Sequence, residues 1–239
     1  MTSSLDVPPG PDAVSWLAGP RAAFDVETTG RDPLQARLVS ASVVLVDAGS
    51  GTLAEHEWLA DPGIEIPDAA AQIHGISTER ARAEGAPAEQ VVRQLVGILS
   101  GYFEQGIPVL AFNAPYDFTV LAAESARHGL SAPEPMPVLD PFVLDKQMDR
   151  FRRGKRTLVA TCEHYGVPLL AAHTSAADAL ATIRLAEALA GKFPELRIPA
   201  RTLHGLQVRW AAEQAASFQE YLRRSNPDAV VDGRWPVGR

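Results

Sequence analysis

The sequence predicts an α/β protein built on a mixed β-sheet. Two observations point there. Apolar, β-branched runs come first, and a Gly/Ser turn at 48–51 joins two of them as a hairpin. After residue 87, helical patterns alternate with short apolar runs, which is how parallel strands are added to a sheet.

Taken in order, residues 1–11 are rich in Ser, Pro and Gly and are expected to be disordered. Residues 12–17 are expected to form one helical turn that lays Trp16 on the body. Strands are predicted at 21–27, 37–47 and 52–60. A short helix opens at Ile66-Pro67-Asp68, and Ser77-Thr78-Glu79 starts another. Val91, Leu95, Ile98, Leu99 and Tyr102 recur at helical spacing, so 87–105 is an amphipathic helix. The run 108–112 reads as a buried strand. Helix 116–128 stops at Gly129, a residue suited to the left-handed backbone after a helix end. A short strand at 138–140, helices at 141–148 and 157–165, an alanine-rich helix at 175–189 and a last helix at 198–224 follow, with a tail at 226–239. The expected division is an extension at 1–20, a main domain at 21–193 and a helical extension at 194–239.

A hydrophobic content of 46% and a charged content of 21% describe an ordinary globular chain. The net charge of −7 argues against a passive nucleic-acid coat, which needs a broad basic surface. It leaves room for an enzyme that meets a phosphodiester locally. The single Cys162 excludes an internal disulfide, and no long apolar run or signal pattern is seen, so a cytoplasmic setting without a membrane is expected.

The chemistry centres on Phe24-Asp25-Val26-Glu27-Thr28-Thr29-Gly30. Alternation along a strand points Asp25 and Glu27 the same way. Like charges held side by side at the edge of a core repel and lose hydration, a cost that a bound cation offsets. Oxygen-only ligands suit Mg²⁺ or Mn²⁺ better than zinc. The alternative is a pair of strand-end acids facing water. Asp117 opens a helix after a buried strand, so it is either a third carboxylate at the strand end or an acid that favours the positive end of a helix dipole. Ser175 and Asp178 fit a capping box. On one continuous helix, His173 and Asp178 would stand roughly 140° apart. They can share a site only if His173 precedes the helix, as a cap at Ser175 predicts.

In this order, FDVETTG, IHGIS, NAPYDFTVL and HTSAAD resemble the motifs of the DnaQ-like (DEDDh) 3′–5′ exonucleases, which include the proofreading subunit of bacterial replicative polymerase. The resemblance covers about residues 22–190. It implies a ribonuclease-H-like mixed sheet flanked by helices and two divalent cations, Mg²⁺ or Mn²⁺. It further implies Asp25, Glu27, Asp117 and Asp178 as metal ligands and His173 as general base. Thr28 takes the position that contacts the terminal nucleotide, beside the loop at Ile73-His74. Thr29, Asn113 and Phe118 are expected to join these substrate contacts. Tyr116 stands where the family usually has Phe, and Thr174 where Arg is common.

The implied reaction is hydrolysis of the terminal phosphodiester at single-stranded 3′ ends, DNA favoured. RNA or oligoribonucleotide trimming, and a non-catalytic binding domain that kept the fold, are the competing readings. Polymerase association stays open, though the absence of an evident linker favours a freestanding enzyme.

The run Arg150-Phe151-Arg152-Arg153-Gly154-Lys155-Arg156 holds five basic residues in seven. It is either a solvated loop or a contact to the phosphate backbone through Arg152 and Arg153, with Phe151 available for stacking.

Overall fold

A computed structural model describes residues 14–169 and 174–238. Its centre is a six-stranded sheet in the order β4-β3-β2-β1-β5-β6. The strands β1 (Arg21–Thr28), β2 (Leu38–Val46) and β3 (Thr52–Asp61) form the antiparallel half. The short strands β5 (Val109–Leu110) and β6 (Val138–Leu139) add in parallel beside β1, and β4 (Ala86–Pro87) adds in parallel beside β3. The mixed sheet and its hairpinned half match the prediction. Only two residues of the expected 108–112 strand pair as a ladder, and β4 has no strand-like run to announce it.

The period-two pattern of β1 feeds two cores. Ala22, Phe24 and Val26 pack with Val91, Leu95 and Leu99 of α3 (Ala88–Glu104) and with Phe118 of α4 (Pro115–Arg127). Phe118 lies between Phe24 and Phe103, with ring centroids 5.5 and 6.2 Å away. Ala23, Val44 and Leu110 pack on the other face against Ile183, Ala186 and Leu189 of α7 (Ser175–Lys192). Asp25 and Glu27 share the parity of Ala23, so they point to the side on which α7 begins.

The remaining helices are α1 (Asp68–His74), α2 (Thr78–Glu84), α5 (Pro141–Met148), α6 (Leu158–Tyr165) and α8 (Ala200–Leu222). The predicted turn near the start is a 3-10 turn at Trp16–Ala18, and it does bury Trp16, whose indole donates to Leu196 O at 3.0 Å. The C-terminal segment, expected as a tail, returns to the body instead. Trp235 is buried in the first core, and Gly238 N donates to Thr119 Oγ1 at 2.7 Å.

One helix start differs from the prediction. Thr174 is the N-cap of α7, and Ser175 is its first helical residue. The Ser175 hydroxyl is hydrogen-bonded to Ser42 Oγ at 2.6 Å, and Ser42 is the cross-strand neighbour of Asp25. A long-range contact has taken the hydroxyl that the local pattern assigned to a capping box, and it pins the start of α7 beside the acid pair.

Candidate active site

Three elements deliver acids to one place. β1 carries Asp25 and Glu27 on one face, with a register irregularity directly after Glu27 that ends the regular ladder. α7 brings Asp178 in its first turn. Oxygens of Asp25, Glu27 and Asp178 all lie within 4.8 Å of one another. Among the described residues this is the one group of His, Cys, Asp or Glu so arranged.

α4 brings Asp117, also in a first turn. Asp117 is 4% exposed and accepts Val26 N–H at 3.2 Å, so it is tied to the backbone between the two β1 acids. It is adjacent to the trio rather than one of the three. Asn113 sets the entry to α4 with a left-handed backbone, φ 64°.

The electrostatics are those of closely gathered, buried acids. Burial, then the charges of Asp117, Glu27 and Asp178, hold the Asp25 carboxyl well above the usual range. Burial and Asp178 push Glu27 up to about 7. Burial also raises Asp117, against the hydrogen bonds it accepts from backbone N–H groups, its own and that of Val26. Hard oxygen donors crowded this closely fit a divalent cation such as Mg²⁺ or Mn²⁺, whose charge removes the repulsion that otherwise raises these groups.

A cleft of about 490 Å³ opens beside Glu27 and is lined by Thr28, Thr29, Ile73, His74 and Tyr116. Ile73 is 52% exposed there, an apolar surface on the cleft wall. His74 Nδ1 accepts Ile76 N–H at 3.2 Å. Burial lowers its imidazole below the ordinary range, with the nearby Thr28 backbone opposing the shift, so the ring is neutral near pH 7. Thr29 Oγ1 accepts Arg37 N–H at 3.0 Å. The Thr28 hydroxyl, the Tyr116 hydroxyl and Gly30 O form one cluster. Tyr116, which the sequence presents only as a departure from Phe, thus braces the turn that follows the acids.

The other expected site residues fall elsewhere. The His173 expectation lies outside the described residues. Phe118 is 2% exposed in the core and presents nothing to the cleft. Next to Asp117 on a helix, it is rotated by roughly 100° from it. Asn113 lines a different cavity, with Asp140 and Trp235. Arg153 is exposed on the basic loop.

Arg152 is committed to an internal ion pair. Its Nε and Nη2 donate to Asp145 Oδ1 and Oδ2 at 3.1 and 2.8 Å, and its side chain is 4% exposed. Arg156 and the Tyr165 hydroxyl also donate to Asp145, which is fully buried. Arg152→Ala is therefore expected to lower the melting temperature by several degrees, since breaking a buried pair costs about 3–5 kcal/mol and Arg156 retains part of it. The salt dependence of oligonucleotide binding should stay as it is. A stable variant with a reduced salt slope would restore Arg152 as a phosphate contact.

Asp140 is the functional candidate that the motif reading passes over. Fully buried, it accepts Asn113 N–H at 2.9 Å, Ala114 N–H at 3.0 Å, Phe142 N–H at 2.9 Å and Trp235 Nε1–H at 3.2 Å. It therefore fixes the turn from which Asp117 is delivered. The available signal was Asp140-Pro141, an N-cap acid followed by Pro at the first helical position.

A mixed sheet with helices on both faces, and acids gathered at the end of its central strand and at two helix starts, is the ribonuclease-H-like exonuclease architecture. The family model described as exonuclease (RNase_T) matches residues 22–186, more than half of the chain. The chain belongs to this exonuclease family, in its DnaQ-like (DEDDh) form. No curated protein matches it.

Among solved structures, E. coli exonuclease I in complex with a dA16 oligonucleotide is 17% identical with a TM-score of 0.65, over 74% of this chain and 42% of that one. An ExoI/SSB-Ct complex is 17% identical with a TM-score of 0.61, over the same shares of 74% and 42%. A product-bound exonuclease I is 16% identical with a TM-score of 0.61, over 74% of this chain and 45% of that one. The chain spans less than half of the length of these structures, and at such identity the likeness is one of fold. Among the described residues, no helix is long and apolar enough to cross a membrane.

Proposed function

We propose that the chain is a divalent-metal-dependent 3′–5′ exonuclease that hydrolyses the terminal phosphodiester of single strands, DNA favoured. The observation that carries this reading is the meeting of Asp25, Glu27 and Asp178 oxygens within 4.8 Å, with Asp117 bonded to the backbone between the first two. The family match and the oligonucleotide complex of E. coli exonuclease I support it.

Asp25, Glu27, Asp117 and Asp178 would hold two cations, Mg²⁺ or Mn²⁺. Bound there, the cations supply Lewis-acid stabilisation of charge on the phosphate and lower the pKa of coordinated water. The chain's own residues do the rest. Thr28, Thr29, Ile73 and His74 form the cleft that takes the terminal nucleoside, the neutral His74 ring avoiding a fixed charge beside the base. Tyr116 keeps the 28–30 turn in place through Gly30 O and Thr28. His173 is assigned as the general base, because an imidazole with a pKa of about 6.5 accepts a proton well near neutrality. Water adds to phosphorus and gives its proton to His173. The P–O3′ bond breaks with its electron pair on O3′, which stays on the shortened strand and takes a proton from bulk water, while the His173 imidazolium returns its proton to solvent.

The test is an Mg²⁺- or Mn²⁺-dependent assay on single strands, duplexes and RNA carrying either a 3′ or a 5′ label. Early release of labelled mononucleotide from 3′-labelled single-stranded DNA is expected. His173→Ala should lower that rate by about 10²–10⁴-fold. Early mononucleotide release from the 5′ label, or no metal-dependent release at all, would overturn the reading. A faster rate on RNA would move the substrate to the oligoribonucleotide class.

A further inference from the structure

Away from the carboxylates, one groove combines positive charge with exposed aromatic rings. It lies between α5 and α8, which are tied by Gln214 Nε2 donating to Val143 O at 3.1 Å. Two adjoining cavities of about 500 and 360 Å³ share Lys146, Arg156, Gln214 and Phe218. The larger begins at Asn113 and Pro115, at the start of α4 and just ahead of Asp117. The smaller ends at Tyr221, with Arg150 on its lining. The groove therefore leads away from the helix start that delivers a catalytic acid.

Its charge runs against that of the chain, whose net charge is −7. Lys146, Arg150, Arg156 and Arg234 line it, with Glu213, Asp232 and the buried Asp140 as the opposing acids. Asp232 is matched by Arg234. Asp145 faces both Arg152 and Arg156, one carboxylate against two guanidinium groups. The exposed Arg153 and Lys155 follow on the same loop.

The rings are placed as stacking surfaces rather than as core. Phe218 is 49% exposed and Tyr221 62%, with centroids 6.4 Å apart and planes only 13° from parallel. Phe151, at the head of the basic loop, is 90% exposed with the Arg150 guanidinium 5.9 Å from its ring. Cations beside exposed, near-parallel rings fit a strand that carries a phosphate and an unstacked base at every step. A duplex would hide those bases.

We infer that this groove is a binding track for single-stranded nucleic acid upstream of the 3′ end. Lys146 and Arg150 meet phosphates, and Phe218 and Tyr221 stack on bases. This rests on the exonuclease reading for the placement of the 3′ end, but the binding can be measured without catalysis.

The experiment uses the full chain in EDTA and follows the anisotropy of 5′-fluorescein oligo-dT of three and twelve nucleotides and of a blunt duplex, over a range of salt. The wild type is expected to bind the twelve-mer at least tenfold more tightly than the trimer or the duplex. The exposed double substitution Phe218→Ala, Tyr221→Ala should weaken the twelve-mer by about tenfold or more, the scale of lost base stacking. Arg150→Glu should weaken it and lower the log–log salt slope by about 1. Circular dichroism melts identify a variant that has lost its fold, and the single Arg150→Gln then replaces it. Unchanged twelve-mer affinity and salt slope in folded variants would overturn the track. So would equal wild-type affinity for trimer and twelve-mer, or capture of an acidic peptide in the groove with which the twelve-mer does not compete. Loss of nuclease activity with the track intact would instead fault the catalytic reading, so the two failures are separable.

Discussion

Asp25→Asn is expected to stabilise the metal-free protein while removing its nuclease activity. Asp25 is raised by burial and by the charges of Asp117, Glu27 and Asp178. An acid whose folded pKa lies above its unfolded value retains its full stability contribution only below the unfolded value, about 3.9 for Asp. That contribution is lost as pH rises towards the folded pKa, because the unfolded chain ionises first. Asn has the shape of the protonated group and nothing to ionise. In EDTA the variant should therefore melt with the wild type near pH 4 and above it at pH 7, by at least a couple of degrees, the shift that about 1 kcal/mol produces in a chain of this size.

Divalent cation should reverse that order. A ligand that binds only the folded state stabilises it in proportion to RT ln(1 + [L]/Kd), so Mn²⁺ should raise the wild-type melting temperature much more than that of the variant. Activity should fall by about 10³-fold, the scale of losing several kcal/mol of charge stabilisation on the phosphate. Calorimetric melts at pH 4 and pH 7, with and without Mn²⁺, check both halves. A variant less stable than the wild type in EDTA at pH 7 would mean that the acids are not held against repulsion.

The acid pair is legible in the sequence because its signal is local. Period-two alternation puts Asp25 and Glu27 on one face, and the apolar neighbours Ala23 and Phe24 fix which faces are buried. The hairpinned strands and the α3 stripe are legible for the same reason. Contacts between distant residues are not. Ser175 looks like a cap because Ser-x-x-Asp is a local pattern, but its hydroxyl goes to Ser42, 133 residues away in sequence. Arg152 looks like a phosphate contact because the loop is basic, while its partner Asp145 sits on α5. Trp235 lies in what reads as a tail, and its burial depends on a groove that only the folded body provides. Phe118 is a different case: its place beside Asp117 on a helix already says that the two cannot share a direction.

Asp140→Ala should be the most destabilising single substitution near the site, and it should weaken metal binding without touching a metal ligand. Asp140 is fully buried and accepts from three backbone N–H groups and one indole N–H. Each donor left unpaired costs about 1–3 kcal/mol, so the sum approaches the whole stability of an ordinary domain, about 5–15 kcal/mol. A fall of more than ten degrees in melting temperature follows. Asp140→Asn retains one acceptor oxygen and should fall in between.

The pH dependence separates the two variants further. Burial pushes Asp140 up to about 6, against the hydrogen bonds that favour its charged form. The stability it contributes is present below about 3.9, the unfolded value, and declines as pH rises through about 6. That slope should vanish in Asp140→Asn. Because Asn113 and Ala114 set the start of α4, their release lets Asp117 drift from Val26 N–H. The apparent Kd for Mn²⁺, titrated well below the variant's melting temperature, should rise about tenfold, the scale of losing an outer support to a metal site. An unstable variant with wild-type metal affinity would reduce Asp140 to a core fixture, and a stable one would contradict the hydrogen-bond network itself.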